Sequence, residues 1–216
     1  MSALWYKEWR EFTGSTRTLL LRFLFPLLVA GPLLEVSWLR LPAILAVVAY
    51  FGTYQTAGQV ARERISGLLP RLALTPVHPR WLVLQKVLAR SLLLLLQLGP
   101  VLVLAQWLGA RADRLLTTAL PLIPTACALG VYLGLHAPTR RWATLIGLLT
   151  VPGAVGVAGL LGMPHPGDPT QIPLPLVGMS SLAPLHPSTG ALWTLAALVL
   201  TAALGAAPRI LGLRWE

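Results

Sequence analysis

Six runs of about twenty apolar residues constrain this chain more than any other feature. They fall at 18–38, 41–60, 84–109, 115–135, 142–162 and 189–207. An α-helix of that length spans the hydrocarbon core of a bilayer, roughly 30 Å. Within lipid, only helices and closed barrels satisfy every backbone N–H and C=O. Charged residues make up 11% of the chain and its mean hydropathy is +0.71. A soluble domain carries about a quarter charged residues, because it needs a solvated shell. The expected fold is therefore all-α: a polytopic membrane protein with six transmembrane helices, forming one domain over 1–216. Nineteen prolines and nineteen glycines fit that reading, since many lie in or beside the apolar runs.

The first run lacks a small-residue cleavage site after it, so it reads as a retained helix rather than a removed signal. Ahead of it, residues 3–16 place Trp5, Trp9 and Phe12 at i, i+4 and i+7, with Lys7, Glu8, Arg10 and Glu11 mostly elsewhere. That pattern predicts an amphipathic helix lying in the membrane interface, aromatic rings at headgroup depth. Trp38, Trp81, Trp107 and Trp142 fall near the ends of spans, where aromatic belts form.

Charge sets the orientation. With the N-terminus inside, the inner segments hold fourteen of the seventeen Lys and Arg residues, and the outer ones only Arg40, Arg111 and Arg114. Positive charge collects on the cytoplasmic side, so both termini are expected there, in the inner (plasma) membrane. The same bias accounts for the net charge of +10 without nucleic acid as a partner; membrane lipid is the expected neighbour.

The acids are Glu8, Glu11, Glu35, Glu63, Asp113, Asp168 and Glu216, none at the centre of a span. An ion-coupled carrier generally needs an intramembrane ionisable relay, and a membrane-embedded metal enzyme needs clustered carboxylates or histidines. Neither pattern occurs. Cys127 stands alone in an apolar run, which excludes an internal disulfide and a Cys-rich metal site. No G-x-x-x-x-G-K-[ST] phosphate loop is present either. The sequence calls for no cofactor and no catalytic residue. Among the histidines, His165 and His186 share the proline-rich outer segment 163–188 and are the only weak candidates for touching a substrate. Two exposed loop histidines are more often solvated bystanders. A short re-entrant element at 172–185 would suit that segment's apolar content.

The most informative stretch follows the second run. Residues 61–83 form the longest cytoplasmic connection, with 61–80 as the expected coupling segment, and Ile65, Leu68, Leu69 and Leu72 make an apolar helical stripe at i, i+3, i+4 and i+7. The second span is expected to run on to about Leu69. A short helix would begin at Pro70, whose fixed φ suits a first turn, and end before Thr75-Pro76. An amphipathic element tethered by two spans is a natural docking site for a cytosolic partner. Here Glu63, Gly67, Leu68, Arg71, Leu72, Thr75, Pro76 and Val77, with Lys86 beyond, resemble the signature region of type-2 ABC exporter permeases. That family often carries an acid just before the position of Arg71, where this chain has Pro70.

The resemblance implies a permease that exports a hydrophobic or amphipathic substrate and is no enzyme itself. A separate cytosolic ABC ATPase subunit would hydrolyse the nucleotide, and a second permease copy or homologue would pair in the membrane. It also implies a coupling role for Glu63, Arg64, Gly67, Leu68, Arg71, Leu72, Thr75 and Pro76, with Glu63 and Arg64 orienting the docking helix. Within the family, the short loops and the stretch Arg140–Gly162 are similar to the haem exporter B subunit of cytochrome c maturation. Gly99-Pro100, Pro121, Pro124, Pro152 and Gly153 interrupt spans, as pivots or as static kinks. A non-transporting membrane scaffold or assembly factor would share the topology and the basic face, and is the alternative reading.

Overall fold

The computed structural model of the chain describes residues 3–35, 40–67, 78–110 and 112–162, with 198, 199, 201, 204 and 205; among these, all regular structure is helical. In order they are α1 (Ala3–Thr13), α2 (Thr16–Leu34), α3 (Arg40–Val48), a π-helical stretch π1 (Ala49–Gln55), α4 (Thr56–Ile65), α5 (Pro79–Trp107), α6 (Ala112–His136) and α7 (Arg140–Gly162). As far as they are described, the first five apolar runs lie largely in helix, α3–π1–α4 making one unbroken rod. Residues 80–107 and 119–136 are long and apolar enough to cross a membrane. The sixth run lies mostly outside the described residues, although its Val199 and Leu204 pack against the main core. Residues 163–188, with His165, His186 and the expected re-entrant element, lie outside them altogether.

Local chemistry explains the breaks. Gly14 and Ser15 separate α1 from α2. Pro79 opens α5 at a position whose missing N–H costs nothing, and His78 caps it by accepting from the Arg80 N–H at 3.3 Å. Prolines 26, 32, 100, 121, 124 and 152 lie inside helices that continue unbroken through them. Transmembrane helices tolerate this because neighbours re-satisfy the freed backbone groups.

The rod α3–π1–α4 is the hub, packed against α6 and α7. Ala126, Gly130 and Gly134 repeat every fourth residue along α6 and form a stripe of small residues. A Cβ at Gly130 would come within 2.6 Å of the Gly52 carbonyl oxygen, and one at Gly134 within 2.7 Å of that of Ala57. Helices lacking a hydrophobic driving force in lipid associate through such close backbone approach. Thr53 Oγ1 adds a hydrogen bond to Ala126 O at 3.2 Å. Thr56 Oγ1 bonds Phe51 O, five residues back, satisfying a carbonyl within the widened π turn. The widened turn also presents Tyr50 to Phe25 of α2 (5.3 Å between ring centroids) and to Tyr54 (4.9 Å).

Outward faces remain apolar. Leu21, Leu24 and Leu28 of α2, Leu88, Leu92 and Leu96 of α5, and Leu145, Leu148 and Leu149 of α7 are exposed. Stripes of that extent fit contact with lipid rather than water. Trp81, Trp107 and Trp142 are exposed at helix ends, as an aromatic belt requires; Trp38 lies outside the described residues.

Candidate functional site

The residues expected to couple the chain to a partner start where α4 ends, and there the structure shows a buried ion-pair chain. Glu63, on the last turn of α4, is 4% exposed and faces inward. Lys7 of α1 reaches its Oε1 at 2.6 Å, and Lys86 of α5 pairs with its Oε2. Lys86 also donates to Oε1 of Glu8 at 2.9 Å, and Arg90 meets Oε2 of Glu8 at 2.5 Å. Charges thus alternate along Lys7, Glu63, Lys86, Glu8 and Arg90, and they join α1, α4 and α5. Gln59, one turn before Glu63, adds a bond to the same carboxylate at 3.4 Å.

Burial alone would push both carboxyls up. For Glu8 the charges of Arg90 and then Lys86 outweigh it, and for Glu63 the charge of Lys86 and the hydrogen bond from Lys7 do so; both end below the usual carboxylate range. Both acids are therefore ionised at neutral pH.

Arg64 points the opposite way. Its guanidinium donates to the carbonyls of Leu135 and Ala137, and to that of Pro138 at 3.4 Å. Those carbonyls lie at and just beyond the C-terminus of α6, where unpaired acceptors and the helix dipole favour a cation. Neighbouring residues thus tie the end of α4 to α1 and α5 on one side and to α6 on the other. The helix then stops. Ser66 N–H bonds Arg62 O at 2.9 Å, Gly67 N–H bonds Arg64 O at 3.1 Å, and Gly67 takes φ +74°, the left-handed conformation that glycine adopts at helix ends. The extension of the second span to Leu69 is thereby shortened, because Gly67 turns the chain. Leu68, Arg71, Leu72, Thr75 and Pro76 lie outside the described residues.

At the opposite end of the bundle, Arg40 donates to Leu34 O at 2.9 Å and to Leu108 O at 2.7 Å, closing α2 and α5 as Arg64 closes α6. The connectors therefore alternate between the two ends.

The sequence reading of α1 is corrected in one respect. Glu8, expected off the aromatic face, is 1% exposed and packs inward together with Phe12, whereas Trp9 is exposed. The helix docks on protein through Glu8 and Phe12. Sequence reasoning named Glu63 but missed Lys7, Glu8 and Arg90 as its companions. The available signal was the i, i+4 pair Lys86 and Arg90 at a span's end, in a chain with only seven acids.

Between this chain of charges and the interior lies a half-open crevice. Phe12, Arg22, Phe51, Gln55, Arg90 and Gln97 line it, with Leu93 and Leu94. The Arg22 guanidinium lies over the Phe12 ring, 5.2 Å from its centroid.

No curated protein and no solved structure matches the chain. The family model for the ABC-2 type transporter matches residues 1–153, from α1 into α7, and so takes in the ion-pair chain, the Arg64 cap and the whole hub. Its members are membrane permease components that work with ABC ATPases, and this chain belongs to the ABC-2 type transporter family.

Proposed function

We propose that the chain is the permease subunit of an exporter, driven by a separate cytosolic ABC ATPase that docks on residues 61–80. Both termini face the cytosol in the inner membrane, and a second permease copy completes the pathway. The observation that carries this reading is the double clamp at the end of α4. Glu63 fastens it to α1 and α5 and Arg64 to α6, so a push on the segment beyond Gly67 is delivered to four helices at once. Transmission between two states requires such a rigid attachment, because packed interfaces switch rather than bend. In this reading Leu68, Arg71, Leu72, Thr75 and Pro76 supply the contacts to the motor. Resemblance of Arg140–Gly162 to the haem exporter B subunit makes haem the first cargo to examine.

The test uses the tagged full chain expressed with its cognate ATPase and purified in mild detergent. A Leu68→Glu, Leu72→Glu double variant should insert normally yet lose the ATPase on purification. Retention of the ATPase by that variant would remove the docking assignment. Normal cytochrome c maturation in cells lacking the gene would remove haem as the cargo. Failure of the wild-type protein to bind any ATPase would favour the scaffold.

A further inference from the structure

Two side-chain amides lie near the middle of their helices, and the coupling role uses neither. Gln97, close to the midpoint of α5, is 5% exposed and forms no side-chain hydrogen bond among the described residues. Gln55 ends π1, close to the midpoint of the α3–π1–α4 rod, and its amide likewise bonds none of them. Gln59, one turn on, differs in reaching Glu63. Both unpartnered amides line the crevice, where α5 meets π1 only sparsely although it packs closely on α6. An amide withdrawn from water without a partner is destabilising, and lipid supplies none. The crevice has room for about one water.

We infer that the crevice binds a single water, which accepts from one of these amides, donates to the other, and so links α5 to the π turn. Two to four polar partners make such a site, and two amides meet that need. A neutral ligand fits better than an anion, because both arginines on the wall are engaged. Arg90 pairs with Glu8, and Arg22 lies over Phe12 and has further interactions. Phe51, Leu93 and Leu94 make up much of the remaining wall. A water-mediated link is nearly as favourable as a direct hydrogen bond. It would tie α5 to the hub at mid-height, as the ion pairs tie α5 to α4 at one end. The site depends on the packing of α5 beside π1, and neither motor nor cargo enters into it.

X-ray radiolysis of the full chain in lipid nanodiscs tests it, since hydroxyl radicals formed from a bound water modify only the side chains around it. Phe51 and Leu94, 6% and 2% exposed, line the crevice and should be modified. Leu98 and Ile123 are as deeply buried but do not line it, and should stay unmodified. A Gln55→Leu, Gln97→Leu double variant should lose the modification of Phe51 and Leu94 and keep that of the exposed Trp107. Gln97→Met, close in length but without the amide, should lose it too, and serves if the double variant does not fold. Unmodified Phe51 and Leu94 in the wild-type protein, or modification that persists in a folded variant, overturns the inference. Modification of Leu98 and Ile123 as well would show general entry of solvent and overturn it equally. So would modification of Phe51 as fast as that of Trp107, after correction for intrinsic reactivity, because the crevice would then be open to bulk water.

Discussion

Lys86 is the residue on which the charge cluster turns. It is 4% exposed and is the only cation that contacts both buried carboxylates among the described residues. Breaking a buried pair by removing one partner typically costs about 3–5 kcal/mol, because the orphaned charge stays in low dielectric. Lys86→Met should therefore lower the melting temperature of the detergent-solubilised protein sharply. In the single variant Glu63 keeps only the part-exposed Lys7 while Glu8 keeps Arg90, so adding Glu63→Gln removes the acid left with the weaker partner and should recover part of the loss. A double variant no more stable than the single one would show that the pairing matters less than the packing. Acid should act in the same direction. Glu8 and Glu63 both titrate below the usual carboxyl range, so the stability they contribute is fully present above about pH 5. It is lost as pH falls through their lowered values, and Glu63→Gln should flatten the acid limb of a melting-temperature profile.

At the scale of elements, the seam between α6 and the α3–π1–α4 rod decides whether the bundle forms. Gly130→Ala would set a methyl 2.6 Å from the Gly52 oxygen and 2.8 Å from that of Thr53, both backbone atoms. Overpacking of that kind costs about 1–3 kcal/mol. Gly99→Ala in α5 meets nothing within 4 Å and should be neutral or stabilising by up to about 1 kcal/mol. Thermal melts of the two variants compare them directly, and equal melting temperatures would rule out the seam as the governing contact. The all-helical class was legible because long apolar runs must satisfy their backbone groups internally. The seam was not read, although Ala126, Gly130 and Gly134 carry its small-residue spacing. The π-helical turn at Ala49–Gln55 had no local signature at all, since the register shift answers to the backbone of α6 and to the Thr53–Ala126 bond. The ion-pair chain was hidden for a related reason. Lys7 and Glu63 are 56 residues apart and Glu8 and Lys86 are 78 apart, and only tertiary packing brings them together.

For the whole molecule, two arginines define two ends. Arg40 gathers the ends of α2 and α5, and Arg64 gathers those of α4 and α6, so Ser66 and Arg140 share one end while Gln106 belongs to the other. By the sequence reading, fourteen of seventeen basic residues belong to the segments assigned to the Arg64 side, and the proposed orientation puts that side in the cytosol by the positive-inside rule. The argument turns on a single sign and is open to a direct check. Ser66, Arg140 and Gln106 are each exposed, and the native Cys127 is buried, so single cysteines can be read without removing it. In intact cells a membrane-impermeant maleimide should label Gln106→Cys and leave Ser66→Cys and Arg140→Cys untouched until the membrane is opened. Labelling of Ser66→Cys from outside would invert the molecule and place the segment beyond Gly67 where no cytosolic motor can reach it. Labelling of all three from outside would mean that α5 and α6 do not cross the bilayer between these positions. The expected pattern, by contrast, would put the double clamp of Glu63 and Arg64 on the side where ATP is hydrolysed.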